Sequence, residues 1–280
     1  MCTRCTRWVL GWEGGDTGSA QRGVADLCGR PSLTTLRGAL TECDVEPDGS
    51  CWTYAPLALV GLVAHATDSD GRPRRRGRPS VLDRLADAIL RGLIVEWLAE
   101  HEALYRLGTA LGRGVRVEAT DDAAWRAALD ARVQRVRDVL PCRDAAGRLT
   151  MGEFGGDGAD YGAAADLFGC AFFTFRADAG ADAAGVLYSP GVQTNGRRGH
   201  CAVATVQAAL ETCIKARWQM LVLANGGLHW RAWAPCNSSG ALVIGPTRIR
   251  ALRDRITDDE REDATERLLR AEGLQATAES

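Results

Sequence analysis

Ten cysteines and four histidines are the side chains in this sequence best suited to nucleophilic or metal chemistry. Cys51 stands apart by position. It follows the turn-forming run Asp48-Gly49-Ser50 and opens an apolar stretch over 52–66 with helical character. Partial positive charge at a helix start favours a thiolate over a thiol. A tight turn there also converges backbone N–H groups, the donors an oxyanion needs during acyl transfer. Gly49 can take the left-handed conformation such a turn demands. The competing reading is a cysteine packed as a small hydrophobe at a helix start. Among His65, His101, His200 and His229, the last fits a general base best. It sits just past Asn225-Gly226-Gly227, where a strand would hold the ring with one edge free. His200, in an Arg-Arg-Gly loop, is second, and each also reads as a surface or hydrogen-bonded histidine. Cys2-x-x-Cys5 is half of a zinc site, but no second such pair completes it. Neither a metal nor a cofactor is expected.

The elements that must position these residues follow from periodicity and turn chemistry. Residues 1–30 are Gly-, Arg- and Cys-rich with little periodicity and read as a loose extension, with a short helix over 32–40. Pro56 falls about one turn into the helix that Cys51 opens, tolerable where the lost N–H is an unpaired N-terminal one. Ser80 caps a helix whose stripe is Leu82, Leu85, Ile89, Leu93 and Trp97, and a further helix from Thr120 carries Trp125, Leu129, Val133, Val136 and Leu140. A helix over 159–168 closes at Gly169, and strands are expected at 170–175, 185–188, 201–206, 219–224, 228–234 and 241–244. Asn225-Gly226-Gly227 is a hairpin turn. A charged amphipathic helix occupies 248–272. Helices first and strands later favour α+β. The chain divides into an N-terminal extension (1–42), a central domain (43–236) and a C-terminal strand and charged helix (237–280).

Composition narrows the class. The 280 residues are 46% hydrophobic and 25% charged, as in an ordinary globular protein, which excludes a wholly disordered chain, a collagen and a coiled coil. A net charge of −2 is not that of a polyanion binder. No apolar run is long enough for a membrane span, and no export signal accompanies the scattered cysteines. That implies reduced thiols in a cytoplasmic or nuclear protein without a membrane partner. The Arg-rich run 71–79 reads as a solvated insertion, with nuclear targeting or minor-groove contact as rival readings, so nucleic acid is a minor candidate partner.

Three blocks taken together resemble the ovarian-tumour (OTU) family of cysteine proteases, which are deubiquitinases. Asp48-Gly49-Ser50-Cys51 followed by Trp52-Thr53-Tyr54-Ala55 is similar to the family's nucleophile block. Phe154-Gly155-Gly156-Asp157, leading through Ala165-Asp166-Leu167-Phe168-Gly169 to an apolar strand, is similar to its middle block. Met220 to Ala224, then Asn225-Gly226-Gly227 and His229-Trp230, is similar to its histidine block. The resemblance spans roughly 43–235. It implies an α+β, papain-like fold with a small mixed sheet flanked by helices. It also implies thiol-dependent hydrolysis at the C-terminus of ubiquitin or a ubiquitin-like protein, with Cys51 as nucleophile, His229 as base and the backbone around Asp48 holding the oxyanion. Alternatives within the same fold are an inactive ubiquitin-binding module and a viral-type protease that processes a polyprotein. Trp52 and Trp230 flank the dyad and either line a groove for ubiquitin's thin Arg-Gly-Gly tail or pack in the core. Where many members carry Asn or Asp two residues after the histidine, this chain has Arg231, so the orienting acceptor must come from elsewhere; Asp44 is favoured and Asp26 is next. Lys215 is the only lysine, which fits GC-rich coding or selection against ubiquitin acceptors.

Overall fold

Two segments are apolar at nearly every position rather than at every second one: Ala-Phe-Phe-Thr-Phe over 171–175 and Met-Leu-Val-Leu-Ala over 220–224. A strand of that kind is buried on both faces and needs helices above and below it. The computed structural model has this arrangement. It describes residues 1–12, 18–43, 45, 50–60, 81–101, 158–190, 202–227 and 229–235, with short pieces at 123, 126–127, 130, 142–143 and 149–150.

The described elements in chain order are α1 (Thr3–Val9), α2 (Gly18–Gly29), α3 (Leu33–Ala39), β1 (Leu40–Cys43), α4 (Cys51–Leu59), α5 (Val81–Glu100), β2 (Cys142–Arg143), β3 (Leu149–Thr150), α6 (Gly158–Phe168), β4 (Ala171–Arg176), β5 (Gly185–Tyr188), β6 (Ala202–Ala204), α7 (Val206–Ala216), β7 (Met220–Asn225) and β8 (Trp230–Pro235). Six strands form one sheet in the order β1-β8-β7-β4-β5-β6. Only the central β4–β7 pair is parallel; the other pairs are antiparallel. The sheet is therefore mixed, and the class is mixed α and β, compatible with the expected α+β. Period-2 alternation divides the side chains. Phe172, Leu221, Leu223, Ala232 and Ala234 pack with α4, α5 and α6 on one face. Phe173, Phe175, Met220, Val222 and Ala224 pack with α1, α2, α3 and α7 on the other. At Gly185 an added Cβ would lie 2.5 Å from the Thr174 carbonyl oxygen, so β5 tolerates no side chain where it crosses β4.

Three expectations are corrected here. The N-terminal stretch is not loose: Val9, Leu10 and Leu27 are buried in the second core cluster. Gly23, a weak helix former, lets α2 lie against α3 because it has no side chain: a Cβ there would come 2.7 Å from the Ala39 Cα. The central sheet also begins inside the expected extension, because β1 starts at Leu40 and pairs with β8. The strand expected over 201–206 is shorter, and a helix follows that was not anticipated. Thr205 caps α7 by accepting from Ala208 N–H, and Val206, Ala209, Leu210 and Cys213 repeat at helical spacing on its buried side. Finally, α5 buries a wider face than the expected stripe. Leu93 of that stripe is buried, with Ile89 and Trp97 half-buried against the same core, but Asp83, Asp87, Leu90, Arg91, Ile94 and Leu98 are buried as well. The charged pair at 87 and 91, described below, sits on the buried face. The expected helix from Thr120 and its apolar stripe, the Arg-rich run 71–79 and the C-terminal segment 237–280 lie outside the described residues, apart from exposed helical positions at 123, 126–127 and 130.

Candidate functional site

Cys51 is the first residue of α4, and Ser50 is its N-cap. The Ser50 carbonyl accepts from both Thr53 N–H and Tyr54 N–H at 2.9 Å, which winds the first turn tightly under the thiol. From the other direction, the β7–β8 connection returns the chain to the same place. Asn225 Oδ1 accepts from Gly227 N–H at 2.7 Å, Gly226 N–H donates to the His229 carbonyl at 2.8 Å, and Gly227 has a φ of 96° that other residues resist. This turn delivers Trp230 so that its backbone N–H donates to Cys51 Sγ at 3.4 Å. The residue after His229 thus touches the proposed nucleophile across 179 positions of sequence. His229 itself is half-buried at this junction.

Cys51 is buried, 3% exposed, although a nucleophile must meet its substrate. Its neighbours explain the burial. Tyr161 of α6 packs against Trp52 (centroids 6.2 Å apart), Trp230 (4.9 Å), Tyr188 (5.5 Å) and Phe172 (5.9 Å). Burial, and then the negative charge of a nearby Cys51 thiolate, push the Tyr161 phenol well above its ordinary range. Trp52 is 2% exposed, so it belongs to the core rather than to a groove wall. Trp230 is half-buried and packs against the same core cluster. Tyr161 also resolves the position of Pro56. That proline lies in the second turn of α4, not the first, so its missing N–H would have met the Trp52 carbonyl. The Tyr161 hydroxyl donates to that carbonyl instead, at 3.3 Å.

Beneath α4 lies a buried polar network. Arg91 (2% exposed) and Asp87 (0%) are one helical turn apart on α5, with Arg91 Nε donating to Asp87 Oδ1 at 2.9 Å. The same guanidinium donates through Nη2 to Ser50 Oγ at 2.9 Å and lies over the Trp52 ring, 5.5 Å from its centroid. The Thr53 hydroxyl is shared between the Ser50 carbonyl and Asp87 Oδ1. Sequence reading missed Asp87, Arg91 and Tyr161. The i,i+4 spacing of an acid and an arginine on a largely apolar helix was the available signal for the first two; nothing local marks Tyr161.

The other expected residues are placed as follows. Asp48 and Asp44 lie outside the described residues, as do His65 and His200. Asp26 is exposed on α2; that helix packs on the opposite sheet face from α4. Arg231 is paired: its Nη1 lies 3.0 Å from Glu42 Oε1, so a carboxylate from β1 answers its charge. His101 ends α5 with its Nδ1 3.0 Å from the Trp97 carbonyl and its ring stacked on Trp97 at 4.0 Å. Cys170 is buried, and burial pushes its thiol up to about 11. Cys2 is exposed, and the backbone N–H groups of Cys5 and Arg4 at the start of α1 lower its thiol below the ordinary value. Among the described residues no group of three His, Cys, Asp or Glu side chains is placed to hold a metal ion, and no helix is long and apolar enough to cross a membrane. No family model, curated protein or solved structure matches the chain.

Proposed function

We propose that this chain is an OTU-type, papain-like thiol protease that cleaves isopeptide or peptide bonds at the C-terminus of ubiquitin or a ubiquitin-like protein. The observation that carries the reading is the Trp230 N–H to Cys51 Sγ contact of 3.4 Å, which joins the cysteine block to the histidine block. In this reading Cys51 is deprotonated by His229 and attacks the carbonyl of the terminal glycine, forming a C–S bond and an oxyanion. Backbone N–H groups around Asp48 and Cys51 hold that oxyanion. His229 then protonates the leaving lysine amine as the C–N bond breaks, and water hydrolyses the thioester. Trp230, half-buried next to the thiol, suits a tail of small residues.

One observation favours a second reading, an inactive ubiquitin-binding module: Cys51 is buried beneath aromatic side chains. Turnover of a fluorogenic amide of the ubiquitin C-terminus separates the two. The protease reading expects measurable hydrolysis that Cys51→Ala and His229→Ala each abolish while ubiquitin binding persists. A wild-type chain that binds ubiquitin but leaves the amide intact would establish the binding module instead.

A further inference from the structure

The buried Asp87–Arg91 pair is not explained by helix stability. An ion pair removed from water gains little over well-packed apolar residues of the same volume, and breaking it is costly. What it does in this fold is local. Arg91 reaches the residue immediately before Cys51 through Ser50 Oγ, at 2.9 Å, and the residue immediately after it through the Trp52 ring. Asp87 holds the guanidinium with Oδ1 and meets Thr53, the third residue of α4. Residues 50, 52 and 53 are thus fixed from below by two side chains of α5, and the residue they bracket is the thiol that meets Trp230 N–H. The planar guanidinium suits this task because it donates in two directions while its face lies over a ring; an ammonium has no such fork.

We infer that Arg91, held by Asp87, is a positioning residue that sets the start of α4 so that Cys51 Sγ faces the β7–β8 turn and His229. This rests on Cys51 being the nucleophile proposed above. Arg91 does not touch the reacting atoms. Its contribution lies in where the sulfur sits relative to the Trp230 N–H that meets it.

The test uses the full chain and three variants. Ser50→Ala removes one acceptor and leaves the ion pair intact. Arg91→Lys keeps the charge and loses the fork. Arg91→Met combined with Asp87→Leu replaces the pair by apolar side chains and leaves no charge stranded. Each is measured by thermal unfolding, by kcat and KM for the ubiquitin C-terminal amide, and by the pH dependence of iodoacetamide alkylation at Cys51. Alkylation is quantified on the peptide carrying Cys51, because the exposed Cys2 also reacts. We expect kcat to fall about tenfold for Ser50→Ala and about 100-fold for the other two, with KM nearly unchanged, as for a misplaced reacting group. The pH of half-maximal Cys51 alkylation should rise, while Cys2 alkylation stays as in wild type. A folded Ser50→Ala or double variant with wild-type kcat and a wild-type Cys51 profile overturns the inference and leaves the pair a core feature. If the wild-type chain hydrolyses no ubiquitin amide, the proposed function fails, and the Cys51 alkylation profile alone decides the positioning role.

Discussion

The sulfur of Cys51 accepts a backbone N–H, sits at a helix start and has a buried guanidinium one residue away on either side. The first two favour the thiolate, the charge of the guanidinium is answered by Asp87, and burial of Cys51 at 3% exposed opposes ionisation. Cys170 and Cys213 present the opposite case. Burial pushes their thiols from 9.0 up to about 11 and about 12. The folded chain therefore keeps protons that the unfolded chain releases. Their contribution to stability is whole below about pH 9 and is lost as pH rises through about 11 and then about 12. Thermal unfolding followed from pH 8 to 11 should show a falling midpoint above about pH 9, and the Cys170→Ala/Cys213→Ala variant should show a shallower fall. Equal slopes would mean that neither thiol titrates differently on folding. Cys51 and His229 were legible from residue type beside turn chemistry. Arg231 was legible as a charge near the histidine but not as a paired one, because Glu42 arrives from a strand that sequence reading placed outside the domain.

At the scale of elements, α4 is a helix of nine residues with a proline inside it, fully buried along its length. It persists because α6 supplies the hydroxyl that the Trp52 carbonyl would otherwise lack. A single neutral hydrogen bond contributes about 1 kcal/mol. Tyr161→Phe should therefore destabilise the chain by about 1 kcal/mol or more, since it leaves a buried carbonyl without that donor. In a Pro56→Ala background a backbone N–H is restored to the same carbonyl, so the cost of Tyr161→Phe should shrink. Chemical denaturation of the four proteins measures this coupling, and additive effects would contradict the compensation. The helix over 158–168, strands β4, β5, β7 and β8 and the Asn-Gly-Gly hairpin were readable because each carries its own cap, turn or apolar run. By contrast, α1, α2, β1, α7 and the charged positions on the buried face of α5 were not. Glycine in α2 and charge in α5 carry the wrong local signal, and only packing against α3 and α4 shows why they are there.

For the whole molecule, the two faces of the sheet do different work. The face bearing α4, α5 and α6 carries the candidate site, and the face bearing α1, α2, α3 and α7 closes the second half of the core. The N-terminal residues are then a structural part of the domain. Leu27→Ala, at a position with 0% exposure, should cost about 2–5 kcal/mol in thermal or chemical unfolding. A loose extension would instead tolerate that change at no cost. The assembly also explains why fold class was partly legible. Helices-then-strands order suggested α+β, but the strand order and the parallel β4–β7 pair arise from a crossover through α7, which sequence reading did not anticipate. In the proposed function, this scaffold brings Cys51 to a ubiquitin C-terminus. The most direct measurement is reaction of the full chain with ubiquitin bearing an electrophile in place of its last glycine, followed by peptide mapping of the adduct. The account predicts one adduct per chain, on Cys51, absent from Cys51→Ala and His229→Ala and undiminished by Cys2→Ala. An adduct on Cys2, or none on a folded wild-type chain, would contradict it.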